Sequence, residues 1–590
     1  MKLTILFLLI FSPTLLLAQL YISPSEHSDS YLYARDRLIY VEKEINLYKN
    51  DKAETEASLY LRKSAQLLQG DKTGNLNKGD GLLSVYQRGT SNAFDYNYWG
   101  LPVLVIGEKG QLNDYLYDLL SNTDSRKAKL ISALDGSSSP LSISNRWIYT
   151  YAGSNYSNWQ YLGDHFDLLP GEGFSMKGVN GNNSSLIESE TINPGSSQLY
   201  DYRGTPNDGI ISLPIKIDQI LLLGNPYPSA LDLDRFLFDN TASTGIAYFW
   251  DSKKDGNTHY VSEYEGGYGI YSPGTGIYLP PVFKKGFSNE ITGETGRIYP
   301  RSKMPIAQGF MVIGKKDGEI IFQNSQRIYQ KEKPEVSVFK SSESDIQSFI
   351  LNIEMDSTYI RQLALAFRND STVDEDHAMD ARNMDSNLDD FSWIIDNEAF
   401  LINVRPKLDE ELIPLNIKLS KASTINFSIS NISNFDPDRI FIYDSKDDLY
   451  FGIKTGSLKI NLVEGDYKDR FFVSFIEKLP TEDTQHDEPA RDETPENSGF
   501  EKKPPIVLLN TIDIFQNNLQ EQLEIKILYD TELSNIKIYD LNAKLFLNHN
   551  FKAKEKEFNF STGNLSNALY IVKVKTTDNK ELTKKIGVKH

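Results

Sequence analysis

FSTGNLSNALYIVKV, residues 560–574, opens with a turn and closes with a run in which Tyr570, Val572 and Val574 fall at every second position. That period of two puts one face inward and one outward, as a half-buried strand requires. LEIKI (523–527), NIKIYDL (535–541), FNFS (558–561) and ELTKKIGVK (581–589) read the same way around it. Turn chemistry separates them: Leu541-Asn542-Ala543-Lys544, Thr562-Gly563-Asn564 and Thr577-Asp578-Asn579 stand between strand-like runs. Residues 506–590 are therefore expected to form a small antiparallel, immunoglobulin-like β-sandwich.

IKIYDLNAKL (536–545), the 560–574 stretch and the terminal ELTKKIGVK together resemble the type A C-terminal sorting domain of type IX secretion substrates in the Bacteroidota. The residues that carry the likeness are Asp540 and Lys544 in the turn, Leu569 and Tyr570 at the strand start, and Lys584 and Lys585 in the basic last strand. Two departures stand out. Ala543 and Ala568 occupy positions where that family usually has Gly, which supplies φ > 0 without steric cost, and Phe515-Gln516-Asn517-Asn518 replaces an upstream Pro-Asn-Pro. The resemblance implies handling by the outer-membrane translocon and sorting machinery. It also implies a destination at the outer cell surface or in the medium, reached through the periplasm, with the tail removed and replaced by an anchor or the protein released.

The other end of the chain agrees. Met1-Lys2, the apolar run 3–17 and Ala18 read as a signal peptide cleaved after Ala18, too short for a membrane span, and no second run approaches that length. There is no Cys, which excludes disulfides, thiol catalysis and a lipoprotein anchor. A net charge of −19 argues against nucleic acid as a partner. Aromatics make up 12% of the chain and are mostly Tyr and Phe, which favours strands.

The whole therefore reads as all-β and multidomain. Residues 1–18 are the signal peptide, 19–335 a β-rich N-terminal region with a split near 90–105, and 336–479 a β-sandwich. Residues 480–505 form an acidic, Pro-containing linker, and 506–590 the sorting domain. Residues 20–87 suggest a solenoid-like or meander start. One exception to the β pattern is expected at 112–134, where Leu112, Tyr115, Leu116, Leu119 and Leu120 fall at helical spacing. In the sandwich, 349–355, 360–367, 391–395, 415–419, 424–429, 440–443, 458–462 and 470–475 read as strands. Segments such as DYNYWGLPV (95–103), RWIYTY (146–151), LLLGNPYPSALD (221–232) and DDFSWIIDNEAF (389–400) also resemble large secreted flavobacterial proteins of uncharacterised function.

No Gly-x-Ser-x-Gly elbow, His-Glu-x-x-His zinc helix or phosphate-binding Gly-x-x-x-x-Gly-Lys-Ser/Thr loop occurs, so no catalytic residue and no organic cofactor is assigned. His259, beside YFWD (248–251), is either a site residue or a structural hydrogen-bonder. Asp370, Asp374, Asp376 and Asp380 crowd one loop region with Asp385, Asp389 and Asp390; clustered carboxylates suit calcium, and the alternative is a solvated loop. Trp99, Trp147, Trp159, Tyr248 and Trp250 lie next to turns, where a flat ring either stacks on a sugar or fills a core. The preferred reading is a non-enzymatic secreted or cell-surface β-protein with an adhesive or structural role. A carbohydrate-binding protein associated with polysaccharide use, with surface glycans as partners, and a hydrolase with an unrecognised site are the alternatives.

Overall fold

The computed structural model describes residues 19–50, 57–104, 110–254, 256–286, 290–331, 346–408, 411–436, 439–453, 458–476, 512–518, 520–527, 532–540, 544–551, 557–577 and 581–589. Residues 1–18, read above as a signal peptide, and 480–505, read as an acidic linker, lie outside the described residues. The chain is all-β, as its alternation and aromatic content require, and Leu233–Asp239 is the one α-helix among the described residues. It divides into a body, residues 1–449 and 453–476, and a C-terminal unit, residues 450–452 and 477–590.

The body begins with stacked parallel strands. Ser30–Arg35 pairs with Ala57–Arg62, which pairs in turn with Leu82–Arg88, while Leu38–Val41 lies parallel to Gln66–Gln69. In-register parallel pairing places like positions above one another, so Ala34, Leu61 and Val85 form one buried column. The stacking is solenoid-like, but it does not stand alone: Leu82–Arg88 also pairs with Leu199–Pro206, and Leu59, Leu61 and Leu83 share a core with Trp99, Phe166 and Tyr200. Inside, the fully buried Arg62 donates to Ser84 Oγ at 2.9 Å, and Ser84 donates to Asp201 at 2.6 Å, so the charge sits within a hydrogen-bonded network.

The helix expected at 112–134 does not form. A 3-10 turn, Leu112–Asp114, leads into strands Leu116–Leu119, Ser125–Lys127 and Lys129–Ile131. Two causes are visible. The Ser121 hydroxyl accepts from the amides of Thr123 and Asp124, capturing donors a helix would need, and Leu116–Leu119 gains a strand partner in Leu199–Pro206. Leu112, Tyr115, Leu116 and Leu119 are buried all the same, because both geometries bury them; Leu120, on the supposed apolar face, is exposed.

All eight strands expected between residues 349 and 475 form, and Glu398–Arg405 joins them. Their sheet places Ile413–Leu419, Asp390–Ile395, Glu398–Arg405, Thr358–Phe367, Gln347–Met355 and Ser423–Ser433 side by side in that order. The apolar face of this sheet does not close on itself. Phe349, Leu365, Trp393 and Phe471 share one core with Tyr151, Leu222, Tyr248, Ile270 and Met311, so strands before and after residue 336 enclose the same apolar interior.

The C-terminal unit is a two-sheet sandwich. Ile512–Asn517, Gln522–Ile527 and Glu557–Ser561 form one sheet; Leu545–Asn550, Leu533–Asp540, Ala568–Thr576 and Glu581–Val588 form the other. Ile514, Leu523, Ile525, Ile536, Ile538, Val572 and Val574 fill the space between them. Tyr570 is buried and its hydroxyl donates to the Ser566 carbonyl at 3.1 Å, pinning a corner four residues upstream as a tyrosine corner does. The 541–543 turn is outside the described residues, but its ends are closed: Asp540 N donates to Lys544 O at 3.0 Å, and Lys544 N donates to Asp540 Oδ1 at 2.9 Å. Lys584 is exposed on the last strand; the side chains of Leu569 and Lys585 lie outside the described residues.

Candidate functional site

YNYW, residues 96–99, follows an Asx turn in which Asn92 Oδ1 accepts from the amides of Phe94 at 2.8 Å and Asp95 at 3.1 Å. The turn hands a strand, Tyr96–Trp99, to Phe174–Lys177, with Lys177 opposite Tyr96 and Phe174 opposite Trp99. On its other side Trp99 bridges to Gln308. Gly309 permits that approach, since a Cβ there would lie 2.7 Å from the Tyr98 carbonyl carbon. One short aromatic strand therefore borders two distinct side-chain clusters.

The first is a cavity of ≈190 Å³ walled by Tyr98, Trp99, Phe249, Trp250, Arg88 and Arg301. Trp250, on the strand Ala247–Ser252, stands directly opposite Tyr268 of the neighbouring strand Glu265–Ser272, with ring centroids 5.2 Å apart. Gly266 makes room for the indole, because a Cβ there would meet the Trp250 ring at 2.6 Å. Arg301 lies over the Phe249 ring at 4.1 Å and near Tyr299 at 4.7 Å, a cation–π contact with both. Three donors in this wall are shielded from solvent and have no hydrogen-bond acceptor in the protein: Trp99 Nε1, Trp250 Nε1 and Arg301 Nε. A buried donor left without a partner costs about 1–3 kcal/mol, and since these three nitrogens expose almost no surface, the polar groups the cavity can offer a ligand are the remaining N–H groups of its two arginines.

The second cluster surrounds Lys177, which is 2% exposed. Its ammonium lies 4.0 Å from the Trp147 ring centroid, 4.8 Å from Tyr264 and 5.0 Å from Tyr96. It donates to the Tyr264 hydroxyl and lies 3.1 Å from His259 Nδ1, and His259 Nε2 lies 2.5 Å from Asp135 Oδ1. Burial pushes the Lys177 ammonium down to about 7, while Asp95 and Asp135 oppose that fall. The three ring faces favour the charged form as well.

The residues singled out in the sequence separate into distinct environments. Trp99 and Tyr248 are buried, and Tyr248 belongs to the shared core. Trp159 is half-buried, its ring 5.0 Å from Tyr151. Trp147 serves the Lys177 cluster and donates Nε1 to Leu134 O at 2.8 Å; Trp250 walls the cavity. His259 acts through contacts to Lys177 and Asp135. Arg301 and Lys177 carry the charge at these two places, and no local pattern in the sequence marks either.

The acidic loop does not bring its four carboxylates to one point. Asp370 is paired with Arg368, Asp376 accepts from the Thr372 amide, Asp374 has its amide bonded to Thr372 Oγ1, and Asp380 is buried and accepts from the amides of Asp376 at 2.8 Å and Val404 at 2.6 Å. Among the described residues, no three His, Asp or Glu side chains form a group able to hold a metal ion. Burial pushes the Asp380 carboxyl up to about 7. Asp390 is held down instead by Arg361, whose Nε lies 2.6 Å from its Oδ1.

Residues 34–475 match the family model described as Domain of unknown function (DUF8693), and residues 513–589 match the Secretion system C-terminal sorting domain. No curated protein matches the chain. Among solved structures, the Central Fibronectin-III array of RIM-binding protein is similar at 8% identity, covering 42% of this chain and 88% of that one, with a TM-score of 0.11. A likeness that slight carries no argument about fold or function.

Proposed function

This chain belongs to the family defined by Domain of unknown function (DUF8693) and is exported by the type IX machinery to the cell surface or the medium, and from that premise we propose that its body is a non-enzymatic adhesive protein that makes its contacts by holding carbohydrate. The observation that carries this reading is the cavity beside Trp250, where aromatic rings and two guanidinium groups share one wall. A sugar offers both complements, apolar C–H faces for the rings and hydroxyl oxygens for the donors. The wall holds neither Asp nor Glu, so it supplies no facing pair of carboxylates for glycoside hydrolysis.

Affinity electrophoresis of the purified protein through gels containing soluble glycans tests the proposal. Retardation by at least one glycan is expected, and Trp250→Ala is expected to abolish it without a change in far-ultraviolet circular dichroism. Migration unaffected by every glycan, or retardation that survives Trp250→Ala, would count against it.

A further inference from the structure

Resting on the carbohydrate reading, we propose that the cavity beside Trp250 selects an anionic sugar, holding the carboxylate or sulfate of a terminal ring against Arg301. The wall carries two guanidinium groups, Arg88 and Arg301, and no acidic residue, in a chain whose net charge is −19. An anion repelled by most of such a surface is drawn to the place where the local charge changes sign.

The two arginines differ in what they have left to offer. Arg88 is engaged by Ser197 O at 2.7 Å, Thr191 O at 3.0 Å and the Glu190 carboxylate at 3.2 Å, so it shapes the wall. Arg301 makes no ion pair with a carboxylate among the described residues, its neighbours being the rings of Phe249, Tyr278 and Tyr299. Asp251, next to Trp250 in sequence, instead accepts from the amides of Ser252 at 2.9 Å and Arg297 at 3.4 Å. The Arg301 guanidinium carbon lies 4.1 Å from the Phe249 ring centroid, and the planar fork of a guanidinium receives a carboxylate or sulfate edge-on. A neutral hydroxyl would satisfy a donor there and leave the charge uncompensated.

Size restricts the ligand further. At ≈190 Å³ the cavity is smaller than the roughly 300–1,000 Å³ of sites that engulf drug-sized molecules, so it admits a single terminal ring.

Calorimetric titration of the full exported chain with trigalacturonate, its carboxyl-reduced neutral counterpart and a sulfated galactan trisaccharide tests this. At least one anionic probe is expected to bind about tenfold or more tightly than the neutral one, a preference that added salt weakens. Whether the carboxylated or the sulfated probe is preferred identifies the source of the charge. Arg301→Gln is expected to remove the preference and Arg301→Lys to retain part of it, while Trp250→Phe weakens all probes and keeps their order. Neutral and anionic probes binding equally to the unmodified protein would overturn the inference and leave the carbohydrate reading standing; that comparison requires no variant to fold. Failure of every glycan, neutral ones included, would remove both.

Discussion

The imidazole of His259 lies face to face with the indole of Trp147, ring centroids 5.4 Å apart and planes 7° from parallel. This stack closes one side of the enclosure around Lys177, so the pH response of the enclosure is set by a buried amine among aromatic rings.

Because the folded state holds the Lys177 ammonium below its ordinary 10.5, at about 7, the folded chain binds fewer protons than the unfolded chain between those values. Stability from this group therefore rises as pH climbs from about 7 toward 10.5. Urea unfolding of the wild type and Lys177→Met across that range should show the wild type gaining relative to the variant. Parallel pH profiles would contradict the assignment.

Asp380 has the opposite sign. Its folded value, about 7, lies above the ordinary 3.8, so its contribution is fully present below 3.8 and is lost as pH rises through 7. Asp380→Asn should flatten that part of the profile. Asp380→Ala should cost about 1–3 kcal/mol for each amide it leaves unbonded, those of Asp376 and Val404.

With the carboxylates of Asp370, Asp376 and Asp380 engaged by Arg368 and by backbone amides, and no three acidic or His side chains gathered among the described residues, a chelator is expected to leave the melting temperature unchanged. Scanning calorimetry with and without excess EDTA checks this, and a drop of several degrees would show a structural ion.

Arg327 and Asp208 are both fully buried, 3.2 Å apart, and Arg327 Nη2 also donates to Leu67 O at 2.6 Å. Arg327→Met removes one of two cations from the buried Asp208, which keeps Lys72 at 2.9 Å and the Asn324 amide at 2.8 Å, and should cost about 1–3 kcal/mol, measured by denaturant unfolding. A loss below about 1 kcal/mol would show that the pair is not structurally important.

In the sorting domain, Tyr570→Phe removes the hydroxyl's two hydrogen bonds to Ser566, to its carbonyl and its Oγ, and should cost about 1–2 kcal/mol, whereas Tyr570→Ala empties a core position and should cost about 3–5 kcal/mol. A reporter fused to residues 505–590 should be exported with the first change and retained with the second. Equal export would separate sorting from the folding of this domain.

Strand positions in the C-terminal domain are legible because alternation and turn residues are local signals: ALYIVKV marks 568–574 and the strand spans Ala568–Thr576. Ile512–Asn517 (IDIFQN) and Leu545–Asn550 (LFLNHN) carry a weaker mark, a single apolar alternation running into polar residues, and gain their order from partner strands. The same dependence on partners makes strands of 112–134, where helical spacing predicts a helix.

By itself the sequence determined the all-β class and the exported destination, because period-two patterning and the sorting motif are written in contiguous residues. Only the tertiary structure decided which aromatics wall a cavity and which fill a core. Lys177 meets His259 across 82 residues, and His259 meets Asp135 across 124. Contacts at such separations depend on how sheets pack, and no local pattern of side chains encodes them.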